Sequence, residues 1–296
     1  MLSREDLRYR HKTAAVSIIH AIMLQENRFE AVTQFKMSRT VLGWNLFYVA
    51  SYFVDGLLID TGFDRMAQKF FTALRSRAVE QIVNTHHHED HVGANFLFEE
   101  KMKLHALAHP RAIPLIAQPP ARLKPYRNQT WGVPRAAHAS PCGDKIQTPK
   151  YKFQVLHLPG HSEDHIGLYE PQEGWLFSGD LFLSVKVRVL RIDEDLQASL
   201  ASLRKVVGLP MSRLFCGSGR ILENPNEALR LKLNFYEELQ ARARELRAQG
   251  WPTERIRDRL LGKEDSFHFL SQNEFAKLHL IKGLLETTHD AGTKPS

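Results

Sequence analysis

Ile82-Val83-Asn84-Thr85-His86-His87-His88-Glu89-Asp90-His91 is the stretch on which the reading of this chain turns. A short apolar run, read as a strand over Val79 to Asn84, delivers the chain into a crowd of imidazoles and carboxylates spaced H-x-H-x-D-H. Imidazole nitrogen and carboxylate oxygen are the ligands that borderline divalent cations accept. Alternate residues of an extended segment point the same way, so His86 and His88 can share one cation. Asp90 and His91 follow the bend and can face a second cation beside the first. A polar turn with solvated histidines is the plain alternative. Fifteen histidines in 296 residues make a chance pair unsurprising, but not this order, with matching corners elsewhere.

Those corners lie at other strand ends. Leu46 to Val54, Asp55-Gly56 and Leu57 to Asp60 read as a hairpin, because Asp-Gly between apolar runs favours a tight turn. The hairpin ends in Leu58-Ile59-Asp60-Thr61-Gly62. A strand over Tyr151 to Leu158 runs into Pro159-Gly160-His161-Ser162-Glu163-Asp164-His165. The next hairpin, Ile166 to Tyr169 and Trp175 to Phe177, ends in Ser178-Gly179-Asp180. A last short strand leads to Cys216-Gly217-Ser218-Gly219.

Taken in that order, these motifs resemble the metallo-β-lactamase superfamily. The His161 and Asp180 corners with the helical C-terminus resemble its glyoxalase-II-like branch and, within it, the bacterial quinolone-signal thioesterase family. The resemblance implies an α/β fold, an αββα sandwich with a C-terminal helical extension: residues 1–222 as the hydrolase domain, residues 223–296 as a helical subdomain. It implies one cation held by His86, His88 and His161, and a second held by Asp90, His91 and Asp180, with Asp180 bridging the two. Asp90 would be the catalytic residue that orients the nucleophile. The cofactor implied is a divalent metal, zinc first, as one or two ions, with Fe²⁺ and Mn²⁺ as alternatives. The reaction implied is hydrolysis by metal-activated water of a thioester, ester or lactone in a small anionic metabolite. An endoribonuclease of the same superfamily and a metal-stabilised binding or regulatory module stay open as alternatives. The chain departs from the family at Ser218, where a histidine is expected, and a hydroxyl is a poor substitute for imidazole toward zinc. A weakened second site is expected. His165 could support His161 through a hydrogen bond or be a polar loop residue.

Composition bounds the partners. With 43% hydrophobic and 25% charged residues the chain reads as globular, as one large domain or a domain plus an appendage. The net charge of +7 is spread without a polybasic block, and no basic-aromatic interleaving suggests a nucleic-acid groove. A small-molecule substrate is expected, with no membrane partner, and the C-terminal helices offer a homodimer contact. Two cysteines build no disulfide framework. The apolar run Thr13 to Leu24 is too short to span a bilayer and follows Glu5 and Asp6, so a strand and a cytoplasmic location are expected.

Smaller expectations come from local patterns. Ala14 to Met23 and Glu30 to Met37 read as strands around a polar turn at Gln25 to Arg28. Asp64 and Asp193 read as helix caps, and Ser271-x-x-Glu274 as a capping box. Eight of the fourteen prolines fall between Pro110 and Pro149, marking a long excursion in which Tyr126 and Trp131 either wall the substrate pocket or pack on the surface. Lys186, Arg188 and Arg191 either receive an anionic tail or decorate a solvated strand edge.

Overall fold

Alternation of side chains along short apolar strands builds two sheets in the computed structural model, which describes residues 22–41 and 44–286. The first sheet runs in chain order: β1 (Ile22–Phe29), β2 (Val32–Val41), β3 (Trp44–Val54), β4 (Leu57–Ile59), β5 (Gln81–Val83), β6 (Ala106–Ala108) and β7 (Ala139–Pro141). Its first four strands are antiparallel, and β4 through β7 are parallel. The second sheet holds β8 (Lys145–Gln147), β9 (Lys152–His157), β10 (Ile166–Glu170), β11 (Trp175–Phe177), β13 (Arg213–Phe215) and β14 (Ile221–Glu223), in the order β14-β13-β11-β10-β9-β8. A two-residue pairing joins β12 (Leu190–Arg191) to β15 (Phe275–Ala276).

The layers follow from which side of each strand is apolar. Leu57, Ile59 and Val83 point inward to meet Phe153, Leu168, Trp175, Phe177 and Phe215 of the other sheet. Leu58 and Ile82 point the opposite way, onto Phe70, Leu74, Leu97 and Phe98 of helices α1 (Ala67–Leu74) and α2 (Asn95–Met102). Two short helices, α3 (Ile113–Ala117) and α4 (Pro125–Thr130), occupy the proline-rich excursion. On the far side Tyr169, Leu176 and Leu214 pack under α5 (Leu196–Val207), α6 (Pro225–Ala248) and α7 (Thr253–Leu261). After α8 (Ser266–Leu270), helix α9 (Lys277–Leu285) adds Leu280 and Ile281 to that layer. Strands buried on both faces demand helices on both outer faces, and the result is the expected αββα sandwich with C-terminal helices. Leu229, Leu233, Tyr236, Leu239, Ala243 and Leu246 of α6, at three- and four-residue steps, pack on this core.

Several local expectations are corrected. Gln25 to Arg28 lies inside β1, and the turn falls at Glu30, which takes a positive φ of 55°. An edge strand tolerates such charged residues because one long side faces water. The strand expected over Ala14 to Met23 lies almost wholly outside the described residues. Asp64 makes no capping bond and instead accepts from Arg135. Asp195, not Asp193, caps α5 by accepting from the Ala198 N–H at 2.9 Å, while Asp193 pairs with Arg191. Ser271 to Glu274 opens no helix. Gln272 and Asn273 take left-handed backbone conformations there, and the chain enters β15 before α9. The Asp55-Gly56 turn is as read, both residues having positive φ. No helix among the described residues is long and apolar enough to cross a membrane.

Phe177 sits at the centre of the inter-sheet layer, 1% exposed, stacked on Phe215 at 4.7 Å and edge-on to Tyr52 at 5.4 Å. Phe177→Ala is expected to cost about 3–5 kcal/mol, by lost transfer energy plus the cavity left behind. Denaturant unfolding of the two proteins measures it.

Candidate metal centre

The parallel strands β4 and β5 end side by side, so the corners that leave them are in contact from their first residues. Asp60 comes directly after β4 and adopts a positive φ of 61°. This turns its buried carboxylate across to Thr85, which donates its backbone N–H to Oδ1 at 2.7 Å and its hydroxyl to Oδ2 at 2.8 Å. His91 Nδ1 lies 2.7 Å from the same Oδ2, where it donates its N–H. The Thr85 hydroxyl proton is thereby committed to Asp60, so its oxygen accepts from His86 Nδ1 at 3.0 Å. That leaves His86 Nε2 with a lone pair, buried and without a hydrogen-bond partner.

The second sheet supplies the other half. His161 donates from Nδ1 to Glu194 Oε1 at 2.7 Å, which turns its Nε2 to within 3.4 Å of Asp180 Oδ2. The other carboxylate oxygen of Asp180 stands 3.6 Å from His91 Nε2. His165 holds the backbone at Asp180: its Nε2 accepts that N–H at 3.0 Å, while its Nδ1 donates to Leu158 O at 3.1 Å. The support expected for His161 thus comes from Glu194, and His165 serves Asp180 instead. Asp164 ties the two halves together, accepting the His87 N–H at 2.8 Å and pairing with His87 Nδ1 at 2.9 Å.

Two groups of ligand atoms result. His86, His88 and His161 converge, and so do His86, His91 and Asp180, with the ligand atoms of each group within 4.8 Å of one another. Asp90 belongs to neither group but stands 3.7 Å from His91 Nε2. Burial and neighbouring imidazoles press the His86 and His165 pKa values down, the latter to about 3, and burial with Arg191 does the same to His88. His91 goes the other way: burial opposes protonation, but Asp60, Asp90 and Asp180 outweigh it and hold the pKa up at about 10. A point that binds a proton so firmly is a point of strong negative potential, suited to a cation. Burial pushes the Asp90 carboxyl up to about 6, with His91 opposing.

Unpartnered Nε2 on His86, outward-bonded Nδ1 on three histidines and a carboxylate between them fit a divalent cation's demand for oriented neutral imidazole and carboxylate. His88 is the exception. Its Nδ1 faces His161 Nε2 at 3.0 Å, and its Nε2 accepts from Arg191 Nη2 at 2.7 Å. Ligation through Nδ1 places the ring proton on Nε2, so the Arg191 bond and a cation at His88 exclude each other.

Ser218 follows a glycine that has no room to be anything else: a Cβ on Gly217 would stand 2.2 Å from Asp180 Oδ1 and 3.0 Å from His91 Cε1. The serine hydroxyl beside it is buried and makes no hydrogen bond. Tyr126 and Trp131 do not line the cleft. Tyr126 packs against Phe267 at 6.2 Å and Trp131 against Phe47 at 5.5 Å. The excursion contributes Arg111, Pro114 and Leu115 instead, across from His88, His161 and Arg191, around an open cleft of about 630 Å³. It is fastened by Arg127, which bonds Glu89 of the His-rich turn at 2.6 Å and Glu274 at 2.8 Å. Arg191 is buried, whereas Lys186 and Arg188 are exposed.

Among known proteins, the chain is 33% identical over 163 residues to hydroxyacylglutathione hydrolase from Legionella pneumophila (strain Paris), covering 54% of each chain. It is 28% identical over 181 residues to the beta-lactamase-like protein 2 homolog of Drosophila melanogaster, covering 57% of this chain and 56% of that one. The chain spans about half the length of the curated relatives it matches. Among solved structures, a metallo-beta-lactamase family protein from Thermus thermophilus superposes with a TM-score of 0.58 at 17% identity, covering 92% of this chain and 94% of that one. A protein solved in a di-iron-bound form, TTHA1623, gives a TM-score of 0.51 at 28% identity over 65% of this chain and 94% of its own. Residues 44–218, which carry all these corners, match the family model described as Metallo-beta-lactamase superfamily, and the chain belongs to that superfamily.

Proposed function

We propose that the chain is a metal-dependent hydrolase acting on a thioester or related ester-type bond of a small anionic molecule. The observation that carries this reading is the pair of convergent groups, His86 with His88 and His161 and His86 with His91 and Asp180, and the aiming of His86, His91 and His161 within them. Each is fixed through Nδ1 to a neighbour outside the cluster, and Asp180 presents one oxygen toward His91 and the other toward His161. His86, His88 and His161 would hold one ion, and His91, Asp90 and Asp180 the other, with Asp180 shared. A divalent cation bound there supplies acidified water and polarises the carbonyl under attack.

The chain's own residues do the rest. The Asp60 and Glu194 carboxylates keep His91 and His161 in single orientations, so no reorganisation is needed when charge develops. Asp90, at the partly exposed edge of the cluster, can take a proton from the attacking water at its carboxylate and return it to the leaving group. Arg111 and Arg191 line the cleft, paired with Glu163 and Asp193, and are the cationic groups there that an anionic substrate could engage. The matched stretch of the Legionella hydroxyacylglutathione hydrolase favours a thioester as substrate. Zinc is the ion of first choice for this ligand set, with iron an alternative favoured by the di-iron-bound relative.

Metal content is the first test. With Ser218 in place of an imidazole, one tightly held ion and one exchangeable ion per chain are expected after dialysis against a mild chelator, and Ser218→His is expected to raise occupancy of the weaker site. Elemental analysis showing two equally tight ions in the unaltered chain counts against this. The second test is catalytic. A panel of acyl thioesters and lactones assayed with Zn²⁺, Mn²⁺ or Fe²⁺ should show turnover, and Asp90→Asn should lower kcat about 10²–10⁴-fold. Inertness toward the whole panel, with tight metabolite binding, would favour the binding or regulatory module that Ser218 keeps in view.

A further inference from the structure

His161, which lines the open cleft, and Asp180 also line a second, smaller cavity of about 80 Å³. It is enclosed by the segment after Asp180 and by helices α5 and α6, with Leu183, Val187, Val189 and Leu203 as apolar walls. One water needs about 10–15 Å³ of such space, so the cavity holds a small group of several non-hydrogen atoms. Its floor holds one feature that the fold does not explain. Lys232, in the middle of α6, is 6% exposed and lines this cavity. Among the described residues its ammonium has no hydrogen-bond or ion-pair partner. It stands over the rings of Phe182 at 5.4 Å and Tyr236 at 5.9 Å.

A buried cation without a counter-ion is destabilising, and interiors keep one only where something else recovers the cost. Burial lowers the Lys232 pKa to about 8, with the nearby carboxylates of Glu194 and Asp180 opposing the shift. Glu194, the foremost of these charges, accepts His161 Nδ1–H at 2.7 Å on one oxygen and the Arg191 backbone N–H at 3.3 Å on the other. Tyr236, 5% exposed and one helical turn after Lys232, brings a hydroxyl-bearing ring to the same cavity. The cavity also touches His161 and Asp180, so a group bound in it reaches the metal cluster through its own wall.

We propose that this cavity is the specificity pocket for the acyl part of the substrate, and that Lys232, with Tyr236, receives a carboxylate at the end of a short hydrocarbon acyl chain. The inference rests on the hydrolase reading and narrows it to esters of small dicarboxylic acids. The volume excludes long acyl chains, the aliphatic walls match the methylenes, and the buried ammonium rejects uncharged termini, because a neutral end leaves it unpaired.

The test compares succinyl and butyryl thioesters, which share a four-carbon acyl chain and differ in whether it ends in a carboxylate or a methyl group. The unaltered protein is expected to show a kcat/KM ratio of at least tenfold in favour of the succinyl ester. Lys232→Met is expected to reduce that ratio at least tenfold and to raise the melting temperature, since it replaces an unpaired buried charge with an apolar chain of like length. Lys232→Arg should retain part of the preference. A binding measurement with free succinate, which needs no turnover, runs alongside. The unaltered protein should bind it, Lys232→Met should bind it at least tenfold more weakly, and Val187→Phe, which fills the cavity while leaving the ammonium in place, should weaken it likewise. Succinate bound equally by all three would mean that the carboxylate sits on the metal cluster, and would overturn the proposal. So would a lowered melting temperature with an unchanged ratio, which would assign Lys232 a purely structural role. Lys232-dependent succinate binding without turnover of any ester would sink the hydrolase reading and leave the pocket standing. Turnover with the same selectivity in Lys232→Met would do the reverse. Should Lys232→Met fail to fold, Val187→Phe decides: succinate binding unaffected by it overturns the pocket.

Discussion

The buried carboxylate of Asp60 is the constraint on which the rest of the cluster depends. It is 2% exposed, held in a left-handed backbone conformation that few side chains adopt willingly, and it takes three hydrogen bonds, two from Thr85 and one from His91. An aspartate in that position is tolerated because its short side chain can satisfy nearby donors and because the surrounding parallel strands leave no alternative. Through it the ends of β4 and β5 are locked in register, the tautomer of His91 is decided, and by way of the Thr85 hydroxyl so is that of His86. A single carboxylate therefore sets the chemistry of two imidazoles that it does not share with any ligand.

The other half obeys the same logic with different parts. Glu194 orients His161, and His165 fixes the backbone on which Asp180 rides. His161 and Asp180 therefore each have a partner that aims them, 33 and 15 residues away along the chain. The Arg127 bridge between Glu89 and Glu274 extends the arrangement outward, pinning the proline-rich excursion and the β15 segment to the His-rich turn. The cleft is walled by elements that are fastened to the cluster itself.

The sandwich and the cluster were readable to different depths. The corners were legible because each concentrates its information locally: apolar alternation sets the strand, and a compact polar motif ends it. Asp60 could be seen as a member of such a corner but not as the organiser of His91, since that contact spans 31 residues. Glu194 carried no local signal at all. It lies 33 residues beyond His161 and reads in sequence as one more acid before a helix. Spacing alone misplaces the α5 cap for a related reason. Asp193 and Asp195 are both chemically able to cap α5, and Asp193 is drawn away by Arg191, a competition invisible to spacing. His165 looked like an aid to His161 because the two are near in sequence. In three dimensions the rings are 6.1 Å apart, and Asp180 is the neighbour within reach. Lys232 was hidden inside an amphipathic helix, where a lysine ordinarily faces water.

The cluster is assembled from both sheets: the stretch His86 to His91 follows a strand of the first, while His161 and Asp180 follow strands of the second. Anything bound across that seam acts as a rivet between the layers. Its affinity adds directly to the work of prising the sandwich open, by the ordinary linkage between ligand occupancy and unfolding. The mechanical integrity of the interface and the chemical loading of its rim are then one equilibrium measured from two ends.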